Sequence, residues 1–266
     1  MLKRYVVATR KSELALKQTE LAVSYLISQL VVKQQAIRDP VLSSNEISRF
    51  ETLPLTTKGD RDQSIELGRS EHKGLFVKEL ELALLRGDAD IAVHSAKDIP
   101  IVLPDGLSIA GYLPREEANE VLVFRKGADI KTIATDSLRR RAQLLKIFPN
   151  VEWRSMRGNI KTRLMKIASG YADATLLASA GLKRLGIDSW PQLAFKKYSL
   201  TEIVPAVGQG AIAIQCRTDD VPFWRPLLDF STFLAVEKER QLLAESNGGC
   251  GSAFAAHVRG EEVIVF

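Results

Sequence analysis

Two side chains in this sequence are placed to do chemistry. Asp98 lies in His94-Ser95-Ala96-Lys97-Asp98-Ile99-Pro100, directly after the apolar run Ile91-Ala92-Val93. If that run is a strand, Asp98 sits just beyond its carboxyl end, the usual place for reacting groups in a doubly wound sheet. Lys97 beside it favours an ionised carboxylate, suited to stabilising a developing positive charge or to passing a proton. A turn hydrogen bond ahead of Pro100 is the structural alternative. Cys250 lies in Gly248-Gly249-Cys250-Gly251, where backbone can approach a bulky partner and the thiol is unpacked. No histidine adjoins it, so it reads as an attachment point rather than an activated nucleophile, the alternative being a turn cysteine without a role. Cys216, within Ala211-Ile212-Ala213-Ile214-Gln215-Cys216, reads as a buried strand residue.

The cations suggest what is bound. Arg10 and Lys11 precede Ser12, Lys73 precedes Gly74, Arg139 and Arg140 follow Ser137, and Arg157 precedes Asn159 with Arg163 one turn on. Each lies near the start of an expected helix, where the macrodipole disfavours a cation by about 0.3–1 kcal/mol unless an anion is near. Strand-to-helix junctions facing a common cleft and binding carboxylates or phosphates would supply that anion. Solvated side chains on outer turns are the alternative at any one position. Lys and Arg outnumber Asp and Glu 37 to 32, a net charge of +5. The cations are scattered and no aromatic segment interleaves with them, which argues against nucleic acid. No phosphate loop of the Gly-x-x-x-x-Gly-Lys type occurs, and Gly208-Gln209-Gly210 is too short for a dinucleotide fingerprint. Two cysteines and three histidines without ligand spacing argue against a disulfide scaffold or a metal site, and for a reducing compartment.

These residues need elements to position them. Across 266 residues, with 45% hydrophobic and 26% charged, the composition is that of a globular protein of several domains. Strands are expected at Tyr5–Ala8, Thr52–Thr56, Ile91–Val93, Glu120–Phe124, Thr132–Thr135, Val151–Ser155 and Ala174–Ala178. Helices are expected after the cap Ser12, from Gly74 to Gly87, and over Ser137–Phe148, Asn159–Ser169 and Phe233–Ser246, with a final hairpin around Arg259-Gly260-Glu261. Residues 31–50 read as an irregular loop. The alternation makes an α/β protein with mainly parallel sheets. Pro- and Gly-marked crossings near Gly111–Pro114 and Pro205–Gly210 suggest a chain that leaves one domain, builds a second and returns. The expected partition is 1–112 with 208–228 as the first domain, 113–207 as the second and 229–266 as a small third. No internal repeat, export signal or membrane span is visible, so a cytoplasmic protein is expected.

The sequence resembles the porphobilinogen deaminase (hydroxymethylbilane synthase) family. The resemblance runs in order through Ala8-Thr9-Arg10-Lys11-Ser12, Thr57-Lys58-Gly59-Asp60, Lys73-Gly74-Leu75-Phe76-Val77-Lys78-Glu79-Leu80-Glu81, Asp90 to Pro100, Ser137-Leu138-Arg139-Arg140, Arg157-Gly158-Asn159, Ala180 to Gly186, Pro205-Ala206-Val207-Gly208-Gln209-Gly210 and Gly248-Gly249-Cys250. It implies a fold of two periplasmic-binding-protein-like doubly wound domains with a cleft between them, plus a small reduced C-terminal α/β domain. It implies a transferase of tetrapyrrole and heme biosynthesis, condensing four porphobilinogen molecules head to tail with release of ammonia, then releasing hydroxymethylbilane by hydrolysis. The implied cofactor is one covalent dipyrromethane, joined as a thioether to Cys250 and held by Lys97, Ser95, Thr135, Ser137, Arg139 and Arg140. Asp98 is implied as the catalytic group, stabilising the azafulvenium cation. Arg10, Lys73, Arg157, Arg163 and Gln209 are implied as substrate-binding. A monomer without metal, nucleic acid or membrane partner is implied. Asp136 stands where family members usually carry serine. Two alternatives are a non-catalytic two-domain module that closes on a small carboxylic acid, and a degenerate deaminase inactive because its third domain is short.

Overall fold

The computed structural model describes residues 4–36, 49–57, 77–246 and 253–266. These fall into two compact units, one within Met1–Arg61, Gly74–Pro114 and Ala211–Phe233, the other within Arg115–Gly210 and Leu234–Phe266.

The first unit is built on a five-stranded sheet. Its strands are β1 (Arg4–Arg10), β2 (Arg49–Leu55), β3 (Ile91–Ser95), β4 (Leu107–Tyr112) and β10 (Ile212–Arg217), in the order β2-β1-β3-β10-β4. β2, β1 and β3 are parallel, whereas β10 runs antiparallel to both of its neighbours. Pro54 lies in β2, an edge strand, where its missing N–H costs no ladder bond. Alternation along the strands divides the core in two. Tyr5, Val7, Ile91, Val93, Ile212 and Ile214 pack one face with Leu26 of α1 (Glu13–Ala36) and Trp224 of α6 (Val221–Trp224). Ala8, Ala92 and Leu107 pack the other with Leu80 and Leu84 of α2 (Lys78–Arg86). Gly87 closes α2 in the left-handed conformation at φ 76°, as its position in the sequence suggests.

The second unit repeats this strand pattern. The strands β5 (Glu120–Arg125), β6 (Thr132–Ala134), β7 (Glu152–Arg154), β8 (Ala174–Ala178) and β9 (Leu193–Lys197) are ordered β7-β6-β8-β5-β9. β7, β6 and β8 are parallel, and β5 is antiparallel to β8 and β9. Helices α3 (Leu138–Ile147) and α4 (Ile160–Ala168) pack on opposite faces, through Leu144 with Leu122, Ile133 and Leu176, and through Leu164 and Ile167 with Val121, Val123 and Leu177. α5 (Ser179–Arg184) follows β8, and α7 (Phe230–Glu245) precedes the hairpin of β11 (Ala256–Arg259) and β12 (Glu262–Val265). That hairpin turns through Gly260 at φ 61°. Gly210 sits at φ +87°, where a Cβ would lie 2.2 Å from the Glu116 carbonyl oxygen, so only glycine fits.

Three departures from the sequence reading have physical reasons. α1 runs on to Ala36 instead of dissolving after Val31, because Gln, Lys and Ala extend a helix and no Gly or Pro interrupts before Pro40. β2 begins at Arg49 rather than Thr52, paired along its whole length to β1. The sheets are mixed, since β5 and β10 oppose their neighbours through pairings that no local pattern announces.

Candidate active site

In the first unit, β1 and β3 lie side by side with Val7 opposite Ile91 and Ala8 opposite Ala92. Their carboxyl ends therefore share one edge, at the point where the chain order reverses from β1 toward β2 on one side and β3 on the other. Arg10 ends β1 half-buried, and Ser12 accepts from the Ala15 N–H at 3.3 Å to start α1. Ser95 ends β3, and the chain turns at once through Ala96–Asp98, pinned by the Ala96 N–H donating to the Ala211 carbonyl at 3.1 Å. The Ser95 hydroxyl and the buried Gln18 amide of α1 are in contact at 3.0 and 3.2 Å. Lys97 and Asp98 are half-buried beside it. Among the described residues, no hydrogen bond or ion pair occupies the Asp98 carboxylate. His94 behind them is 5% exposed, and burial together with the nearby Arg10 charge, against a bond with Gln215, pulls its pKa down to about 4. This imidazole is neutral at physiological pH.

In the second unit, β6 and β7 end together, with Ala134 opposite Arg154. The buried Thr135 accepts from the Ser137 N–H at 3.2 Å, and the Ser137 hydroxyl caps α3 by accepting from the Arg140 N–H at 3.4 Å. Asn159 caps α4 by accepting from Thr162 at 2.9 Å. Two helix N-termini thus face the carboxyl edge. Arg157 and Arg163 lie on it half-buried, the Arg163 Nε donating to the Gly158 carbonyl at 2.8 Å.

Arg139 and Arg140 are 6% and 7% exposed, and both already hold an anion. Glu120, fully buried at the head of β5, accepts from Arg139 Nη2 at 2.5 Å and from Arg140 Nε and Nη2 at 3.1 and 2.8 Å. Arg139 also donates to the Val204 carbonyl at 2.8 Å. Burial lowers the Arg139 pKa against the attraction of Glu120, while the Arg140 charge lowers it further. The anion demanded by two cations at a helix start is therefore supplied in part from within, leaving the cluster one net positive charge. Gln209 is also internal, 1% exposed, with its amide donating to the Ala118 carbonyl at 2.7 Å. Cys216 is buried in β10 and its thiol is pushed up to about 12, the strand residue expected. Cys250 and Lys73 lie outside the described residues. Among the described residues, no group of three His, Cys, Asp or Glu could hold a metal, and no helix is long and apolar enough to cross a membrane.

A family model described as porphobilinogen deaminase, dipyromethane cofactor binding domain, matches residues 5–223. The chain belongs to the porphobilinogen deaminase family. Porphobilinogen deaminases of Nitrobacter winogradskyi and Syntrophobacter fumaroxidans are each 39% identical over 95% and 94% of this chain and 78% of their own length. That of Geobacillus kaustophilus is 40% identical over 99% of this chain and 83% of its own. Among solved structures, the periplasmic aliphatic sulphonate binding protein SsuA of Escherichia coli aligns over 92% of this chain and 70% of its own, with 12% identity and a TM-score of 0.47.

The dipyrromethane of the family carries acid groups, and the donors present fit it in chemical type. Ser95, Lys97, Thr135 and Ser137 are hydroxyls and a cation at carboxyl edges, and Arg139 and Arg140 add net positive charge at the α3 N-terminus. The sequence reading missed Gln18 and Glu120. The signal for Glu120 was an acidic residue opening an apolar strand, Glu120-Val121-Leu122-Val123-Phe124, a place where a carboxylate is kept only with cationic partners.

Proposed function

We propose that the chain condenses four porphobilinogen molecules head to tail, with loss of ammonia, on a dipyrromethane primer joined through a thioether to Cys250, and then releases hydroxymethylbilane by hydrolysis. The observation that carries this reading is the Asp98 carboxylate, unpaired among the described residues, one short turn beyond the carboxyl end of β3 and beside Lys97 and the Gln18-held Ser95. Asp98 accepts the pyrrole N–H of porphobilinogen. Its negative charge stabilises the cation that develops on the ring as the carbon–nitrogen bond to the departing ammonia breaks. Neutral His94 adds no competing positive charge to that edge. Arg10, Lys73, Arg157 and Arg163 pair with the acetate and propionate groups of the substrate, which orients each ring and screens its charge. Gln209 is assigned to substrate binding as well, its backbone carbonyl accepting from Arg115 at 2.9 Å.

The primer, when bound, supplies the terminal pyrrole carbon to which the first substrate adds. Ser95, Lys97, Thr135, Ser137, Arg139 and Arg140 hold its acid groups. Residues 229–266 belong to a third domain that carries Cys250, in addition to a first domain of 1–112 and 208–228 and a second of 113–207. The enzyme works as a cytoplasmic monomer without metal. Intact-mass spectrometry tests the reading. The chain is expected to carry a two-pyrrole addition that Cys250→Ser lacks, and to consume porphobilinogen. An unmodified chain that consumes none would favour a binding module or an inactive deaminase instead.

A further inference from the structure

Asp136 leaves β6 between Thr135 and the cap Ser137, on the same edge as Arg157. Its Oδ1 accepts weakly from the Met156 N–H at 3.4 Å. Its Oδ2 is buried, has no hydrogen-bond partner among the described residues, and lies 3.7 Å from Arg157 Nε. The two side chains are alike in exposure, 20% and 19%. This pair differs in kind from the one Glu120 makes. There the contacts to Arg139 and Arg140 are 2.5 and 2.8 Å and both guanidinium groups are buried. Asp136 and Arg157 are close enough to feel each other's charge, yet too far apart to form a charge-assisted hydrogen bond. The guanidinium can leave its resident anion without breaking a hydrogen bond to it.

We propose that Asp136 is a specificity-determining residue of the carboxylate-binding edge: it competes with the ligand's acid groups for Arg157 and sets how tightly an acid-bearing pyrrole is held there. The proposal rests on the ligand-binding role given to Arg157 above. Two effects oppose each other. An anion beside Arg157 could orient it for a ligand, but without a hydrogen bond little of its rotamer freedom is removed. The same anion repels an incoming carboxylate. At a separation of a few ångströms on a partly solvated edge, that repulsion is worth about fivefold in affinity. Repulsion therefore wins, and removing the charge tightens binding. A subsite that accepts and passes on successive acid-bearing rings gains from such a resident competitor, because each ring leaves sooner.

The test is steady-state kinetics with porphobilinogen on the primer-loaded enzyme for wild type, Asp136→Asn, Arg157→Gln and the double variant, with Asp136→Ser as a second neutral replacement. Asparagine keeps the shape and the acceptor for Met156 while deleting the charge. Both Asp136 variants are expected to lower KM about fivefold, and Asp136→Asn is expected to leave KM unmoved when Arg157 is already glutamine. A structural lesion would not improve KM. An unchanged or raised KM in both Asp136 variants overturns the proposal, as does an equal fall with and without Arg157. Arg157→Gln alone, in a chain that keeps Asp136, reads the underlying role separately: an unchanged KM there refutes the assignment of Arg157 to the ligand.

Discussion

The buried Arg139–Glu120–Arg140 cluster makes the most demanding prediction about stability. Glu120 is 0% exposed, and its two oxygens receive three guanidinium hydrogen bonds. Replacing it with glutamine deletes the counter-charge of two cations that are each more than nine-tenths buried, and sets the new amide N–H against a guanidinium N–H. Removing one partner of such a buried arrangement costs about 3–5 kcal/mol. For a chain of this size that corresponds to a fall of roughly 6 to 20 °C in Tm. Urea denaturation of Glu120→Gln at pH 7 measures the loss directly. The companion is a triple variant, Glu120→Leu with Arg139→Met and Arg140→Leu. Filling the same space with apolar groups removes the desolvation cost together with the pairing, so its stability should return to within about 1 kcal/mol of wild type or exceed it. The same chain should acquire less of the two-pyrrole addition, because the net cationic end of α3 that would hold the primer's acid groups during loading is gone. A loss below about 1 kcal/mol in Glu120→Gln would refute the reasoning, since it would mean that the two arginines are not desolvated in the folded chain.

Three further outcomes follow from single sites. His94 is held neutral with its pKa at about 4 against an ordinary value near 6.5, so the unfolded chain binds the extra proton first. Stability should therefore fall as pH drops from about 6.5 to 4, by about 2–3 kcal/mol, and His94→Gln should flatten that slope in urea titrations at stepped pH. Asp173 also has a lowered pKa, but through hydrogen bonds rather than burial. Its burial is outweighed by bonds from Arg125, Thr132 and the Lys131 and Thr132 N–H groups, which bring it down to about 2. The stability it contributes is complete above about pH 4 and is lost toward pH 2, and Asp173→Asn should cost about 1–2 kcal/mol at neutral pH once solvent screening is allowed for. Gly210→Ala should destabilise by about 2 kcal/mol or more, read by thermal melting, because its Cβ would meet the Glu116 carbonyl oxygen at 2.2 Å in a left-handed conformation.

The parts of the site fixed by local chemistry were readable in the sequence. Ile91-Ala92-Val93 running into a polar turn located Asp98 at a strand end, and Ser137 and Asn159 ahead of helical periodicity located two caps that the structure forms. The residues that depend on distant pairing were not. Gln18 meets Ser95 from 77 positions away, and Glu120 meets Arg139 and Arg140 from 19 and 20, with nothing local in either segment to announce the partner. The direction of β10 was hidden in the same way, since an apolar run such as Ile212–Cys216 looks alike in parallel and antiparallel pairing. Charge placement at helix starts pointed to an anion, but part of that anion is Glu120 of the chain itself.

The central claim is that the Asp98 carboxylate stabilises positive charge on the substrate ring. Asp98→Asn keeps the size and the turn while removing that charge, so the direct measurement is porphobilinogen consumption by Asp98→Asn that has been shown by mass to carry the two-pyrrole addition. The predicted result is an intact adduct with turnover reduced by about 100-fold or more. Turnover within about threefold of wild type would contradict the claim, because a loss that small is under about 1 kcal/mol of barrier.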